Sequence, residues 1–225
     1  MVAVALFTRC WGEPGALPPV LLVHATGDTS ADWAEVAAGL VENRLVVAVD
    51  LRGHGASPRP GGYALTELAD DLEVVAAALA AEHGRPVDVV AHSLGGLVSC
   101  LLASRRPDLV RRLVLEDVPV PHRREPLAPT RPEGDLAFDW DAVLQVRAQV
   151  DDPDPRWPRV IASVTAPTLV VWGGPASPMP REHVAQMAET VADGRLVRID
   201  AGHLVHAHQP ATFTAVVRGF LALPD

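Results

Sequence analysis

The 225-residue sequence is 48% hydrophobic and 21% charged, a globular balance that buries one sizeable core, so a single domain is expected. Its formal net charge of -9 argues against nucleic-acid binding, which requires a basic face. No apolar run has the length of a bilayer span, and Cys10 and Cys100 form neither a C-x-x-C motif nor a disulfide framework. They read as reduced thiols of a cytoplasmic protein.

The opening stretch, Met1 to Phe7, is apolar but brief, without a basic leader or a small-residue cleavage site. It reads as a first strand rather than a signal peptide. Val20 to His24 is a compact apolar run between Pro18-Pro19 and a turn, hence a buried strand. A helix is predicted from about Ala31 to Val41, and a further strand at Leu45 to Val49. Leu68, Leu72, Val75 and Leu79 form a helical stripe that ends before Gly84 and Pro86.

The central stretch runs Val87-Asp88-Val89-Val90-Ala91-His92-Ser93-Leu94-Gly95-Gly96. A buried strand runs into a serine, small residues follow, and an apolar helix is predicted from Leu97 to Ser104. A sharp strand-to-helix turn tolerates little bulk beside its apex, and Ala91 and Gly95 supply that clearance. Leu113 to Leu115 begins a further strand, which closes on Glu116-Asp117. From about Pro119 to Ala166 the chain is rich in proline and charge, with one modest helical stretch near Trp140 to Val150. Thr168 to Trp172, a helix from Arg181 to Val191, a strand at Leu196 to Ile199 and a helix from Pro210 to Leu221 complete the chain. Apolar strands alternating with helices predict an α/β fold, a mostly parallel central sheet with helices on both faces. The working residues of such sheets gather at strand C-termini.

Ala91-His92-Ser93-Leu94-Gly95 resembles the G-x-S-x-G elbow of the α/β-hydrolase family, with alanine at the first glycine. Asp50-Leu51-Arg52-Gly53-His54-Gly55 matches a further family loop, D-x-R-G-x-G, taken as a structural turn beside the site. The resemblance covers nearly the whole chain and implies one α/β-hydrolase domain over 1–225, with a reduced lid over about 119–166 and a rather open site. It implies a serine hydrolase (esterase-like) that cleaves a carboxylic ester, thioester or lactone, with a small-molecule substrate and no cofactor. Ser93 is then the nucleophile, and His203, after the last strand in Ala201-Gly202-His203, is the general base that activates it. The oxyanion hole comes from the Leu94 amide and from Thr26 in His24-Ala25-Thr26, where the family normally has His-Gly-x. His24 itself stabilises the turn.

The family acid usually follows the strand Thr168 to Trp172, but Gly174-Pro175-Ala176-Ser177 holds no carboxylate. Some relatives, certain haloalkane dehalogenases among them, carry the acid one strand earlier. Asp117 falls on that position, and Glu116, its neighbour on the opposite face, is the alternative acid. His206 and His208 read as surface or supporting groups. Their H-x-x-H-x-H spacing lacks an accompanying carboxylate or cysteine set, so no metal site is expected.

Two rival readings stand beside the esterase. The same machinery cleaves carbon–carbon bonds in diketone-like compounds. Alternatively, the missing acid after Trp172, with Ala25 and Ala91 for glycines, fits a non-catalytic binding protein on a degenerate scaffold. A dehalogenase is disfavoured because that chemistry wants an aspartate where Ser93 stands.

Overall fold

Val20–Val23 (β2), Val46–Val49 (β3) and Val87–His92 (β4) are buried at every residue, which is why they read as unbroken apolar runs rather than alternations. With Thr8–Trp11 (β1), Val110–Glu116 (β5), Thr168–Trp172 (β6) and Gly194–Arg198 (β7) they form one seven-stranded sheet. The strand order is β1-β3-β2-β4-β5-β6-β7, and every neighbouring pair is parallel except β1 with β3. The computed structural model describes residues 3–126 and 128–224.

The helices are Ala34–Leu40 (α1), Leu65–His83 (α2), Leu94–Arg105 (α3), Trp140–Asp151 (α4), Trp157–Ala162 (α5), Arg181–Thr190 (α6), Val205–His208 (α7) and Pro210–Leu221 (α8). One sheet face packs against α2, α3 and α6 through Leu72, Val98 and Met187. The other packs against α1 and α8 through Val36, Phe213 and Val217. No helix of the described residues is long and apolar enough to cross a membrane.

Three sequence expectations need correction. The first strand lies at Thr8–Trp11, not over Met1 to Phe7; Met1 and Val2 fall outside the described residues. Val4 N donates to Asp71 Oδ1 (2.7 Å) and Phe7 N to Ser57 Oγ (2.8 Å), so side chains take the hydrogen bonds a ladder would need. The helix predicted from Ala31 begins as a 3₁₀ turn, Ser30–Trp33, because Thr29 and Asp32 cap it tightly. The excursion between β5 and β6 holds a second helix, α5, with Pro158 in its first turn, where a missing N–H costs nothing.

The chain reverses direction across the sheet between β2 and β4. In doubly wound sheets the crevice at such a switch point is where ligands bind. Val23 pairs with Ala91 and His92 with Glu116, so the turns after β2, β4 and β5 emerge side by side.

Candidate active site

Ser93 follows β4 and precedes α3 with φ +49° and ψ -111°. Such a conformation costs a non-glycine residue about 1–3 kcal/mol, so the surroundings must hold it. Ser93 N donates to Glu116 O (3.1 Å), and Gly96 N donates back to Ser93 O (3.0 Å). A Cβ on Gly95 would stand 2.5 Å from Val23 O and 2.6 Å from His24 O, both unyielding backbone. Ala91, fully buried in register between Val23 and Leu115, fits where the elbow pattern has its first glycine.

Asp117 follows β5 directly, at φ +52°, a left-handed conformation that aspartate tolerates better than most residues. Its buried carboxylate accepts from three partners. Gly173 N reaches Oδ1 (2.9 Å), while Ser177 Oγ (2.5 Å) and His203 Nδ1 (2.7 Å) reach Oδ2. With Nδ1–H donated to the carboxylate, the neutral imidazole keeps its Nε2 lone pair for a proton. Gly173 is needed here because a Cβ on it would stand 1.9 Å from Gly202 O. The turn after Trp172, which carries no carboxylate, thus contributes an amide and a hydroxyl that hold one.

The turn after β2 is braced from within. His24 Nδ1 donates to Ala25 O (2.6 Å), and its Nε2 accepts from Leu51 N (2.9 Å). Burial lowers the His24 pKa, which suits a neutral ring in both bonds. The Asp50 loop is held the same way: Asp50 accepts from Ser30 N (2.6 Å) and Ala56 N (2.8 Å), and Arg52 makes a two-pronged pair with Asp71.

Thr26, Ser93, Leu94 and His203 line one cavity of about 270 Å³, walled by Leu97, Val146 and Met179 and by the excursion after β5. The sequence profile of the alpha/beta hydrolase fold family matches residues 18–155. The chain belongs to that family. It is an enzyme, and its relatives include a named lipase and a named hydrolase.

The chain is 25% identical over 253 residues to the sn-1-specific diacylglycerol lipase ABHD11 of Mus musculus, covering 92% of this chain and 81% of that protein. It is 28% identical over 257 residues to the 2-hydroxy-6-oxo-2,4-heptadienoate hydrolase of Pseudomonas putida, covering 95% and 92%. Other curated relatives align over much less, 48% of this chain and 31% of their own length in one case. The crystal structure of a hydrolase from Pseudomonas aeruginosa PA01 superposes with a TM-score of 0.81 at 26% identity, covering 97% of this chain and 94% of that one.

Beneath His203 of this hydrolase lies a buried group that sequence reading missed. Glu116, the alternative acid, does not reach His203. Its carboxylate accepts from His206 N (2.8 Å) and from His206 Nδ1 at both oxygens (2.9 Å). His206, expected as a surface or supporting group, is 3% exposed and stacks on Trp33 with ring centroids 4.4 Å apart. Burial alone would lower its pKa, but the hydrogen bond and charge of Glu116 outweigh it, and the net shift is upward. His92 is fully buried between His203 and His206, at centroid distances of 4.5 and 5.2 Å.

His92, Glu116 and His206 each bring one donor atom within 4.8 Å of the others, the spacing of a metal ligand set. The carboxylate not found near these histidines in sequence arrives from β5. Both its oxygens are engaged by His206, so the group is already held together by hydrogen bonds. One signal was available: Glu116 and Asp117 end a strand, where adjacent side chains diverge and two carboxylates need two partners. His208 is exposed, with Nδ1 donating to Ala201 O (2.8 Å).

Proposed function

We propose that this hydrolase cleaves a carboxylic ester, thioester or lactone through a Ser93 acyl-enzyme. His203 Nε2 takes the Ser93 proton as Oγ attacks the carbonyl carbon. Asp117 fixes the imidazole tautomer and stabilises the imidazolium. The Thr26 and Leu94 amides hold the tetrahedral oxyanion, each donor worth about 10²–10³ in rate. His203 returns its proton to the leaving alcohol or thiol (in a lactone, to the ring oxygen). It then activates water, which frees the acid. The 119–166 segment serves as an abbreviated lid on the single domain, and the substrate is a small molecule. Cys10 and Cys100 are free thiols, which supports a reducing compartment, the cytoplasm.

The observation that carries this reading is the 2.7 Å hydrogen bond from His203 Nδ1 to Asp117, in a chain whose Ser93 lines the same cavity as His203. Labelling with a fluorophosphonate probe tests it. One adduct on Ser93 is expected, absent from Ser93→Ala. Folded Ser93→Ala protein with undiminished esterase activity defeats the reading. A second reading, carbon–carbon bond hydrolysis by the same residues, is favoured by the full-length match to a relative named for an oxo-dienoate substrate. Turnover of vinylogous diketones in preference to esters would select it.

A further inference from the structure

We propose that Arg124 and Arg147 form a carboxylate subsite, so that the preferred ester carries one negative charge away from the carbonyl that Ser93 attacks. The proposal rests on the reading of Ser93 for where the scissile bond lies.

The wall of the Ser93 cavity is mainly apolar, with Leu97, Val143, Val146, Val150 and Met179 among its residues. Among the described residues its two charged side chains, Arg124 and Arg147, are both positive, and no carboxylate lines it. Arg124 sits on the loop after β5 and Arg147 on α4. Both Nε atoms donate to Asp151, Arg124 to Oδ1 and Arg147 to Oδ2 (2.8 Å). The Asp151 side chain is 4% exposed, whereas those of Arg124 and Arg147 are 43% and 33% exposed. The shared carboxylate therefore lies behind the two guanidiniums, which remain within reach of solvent and substrate.

Two guanidiniums and one carboxylate leave one positive charge on the cavity wall. A guanidinium presents five N–H donors, and Asp151 takes the Nε hydrogen of each. A second carboxylate engages such donors in two-pronged, charge-assisted bonds, which are shorter and stronger than neutral ones. One carboxylate matches the unbalanced charge, and the apolar wall suits the methylene chain between it and the ester. A group serving only to tie the β5 loop to α4 would not require its cations to line the cavity.

The test uses mono-aryl esters of dicarboxylic acids, succinate through suberate, against aryl esters of straight-chain fatty acids of equal length. At one or more chain lengths the anionic ester has the higher kcat/KM, and added salt lowers that preference. Arg147→Gln and Arg124→Gln each reduce the anionic-to-neutral ratio about tenfold or more. Circular dichroism and thermal melting establish that both variants fold. A purely structural pair lowers both rates together, and an unchanged ratio in both folded variants overturns the proposal. If neither ester class turns over, the hydrolytic reading fails, and calorimetry decides the subsite alone. Monomethyl glutarate titrated into Ser93→Ala protein then binds, and does so at least tenfold more weakly after Arg147→Gln is added. Equal affinity in the two proteins, or no binding to the first, overturns it.

Discussion

Glu116 and Asp117, adjacent in sequence, turn their buried carboxylates to different histidines: Asp117 accepts from His203 Nδ1 at 2.7 Å and Glu116 from His206 Nδ1 at 2.9 Å. A strand sends successive side chains to opposite faces, and the left-handed turn at Asp117 carries its carboxylate over toward Gly173 and Ser177. Two acids that would repel in one site are thereby divided between two. One lies beside the cavity that holds Ser93, and the other lies in the layer beneath it.

Asp117→Asn frees His203 to take the wrong tautomer, and kcat for ester hydrolysis is expected to fall about 10⁴-fold with the fold intact. Glu116→Ala instead leaves the buried His206 without its counter-charge and destabilises the protein by about 3–5 kcal/mol. Steady-state kinetics and denaturant unfolding of the two variants separate these roles. A larger kcat loss for folded Glu116→Ala than for Asp117→Asn would reverse the assignment.

The buried histidines give stability two opposite pH limbs. The His206 pKa is raised in the folded state. Its contribution is therefore fully present below the unfolded value, near 6.5, and is lost as pH rises through the folded value above it. Burial lowers the pKa of His24, and that of His54 to about 4, so both lose stability as pH falls from near 6.5 toward their folded values. Melting temperatures across pH should fall on both sides, and Glu116→Gln should flatten the alkaline limb while leaving the acid one. An alkaline slope unchanged by that substitution would remove His206 as its source.

If Asp117 orients His203 as proposed, Ser177 acts as a positioning residue. Its hydroxyl donates to the Asp117 oxygen that also serves His203, and it accepts from Met179 N (2.9 Å). Loss of a hydrogen bond to a charged group costs about 1.5–3 kcal/mol, so Ser177→Ala is expected to lower kcat/KM by roughly tenfold or more. The acid limb of the pH–rate profile should shift with it, and Ser177→Thr should restore part of the loss. A stability change with an unmoved pH profile would mark the bond as structural.

Gly95→Ala forces a Cβ against the Val23 and His24 carbonyl oxygens. Overpacking of this kind costs about 1–3 kcal/mol, and the turn that carries Ser93 must shift to accept it. Thermal melting and fluorophosphonate labelling should both decline. A fully labelled, undiminished variant would show that the elbow has slack the backbone contacts do not indicate.

Much of the fold was legible in the chain because its signals are local. Val20–Val23, Thr168–Trp172 and Pro210–Leu221 are set by burial patterns within a few residues, and the Ser93 turn by steric demands on its immediate neighbours. The opening strand was misplaced because its hydrogen bonds are taken by Ser57 and Asp71, far along the chain. Helix α5 and the Arg124–Asp151–Arg147 group lie in a segment whose proline and charge hide any periodicity.

By itself, then, the sequence determined the alternation of strands and helices and the residue at the sharp turn. Tertiary structure alone decided which carboxylate meets which histidine, since Asp117 and His203 are 86 residues apart and Glu116 and His206 are 90. Those pairings follow from strand order and register, which bring the ends of β5, β6 and β7 together. Strand order depends on how whole layers pack, and no short stretch of chain encodes it.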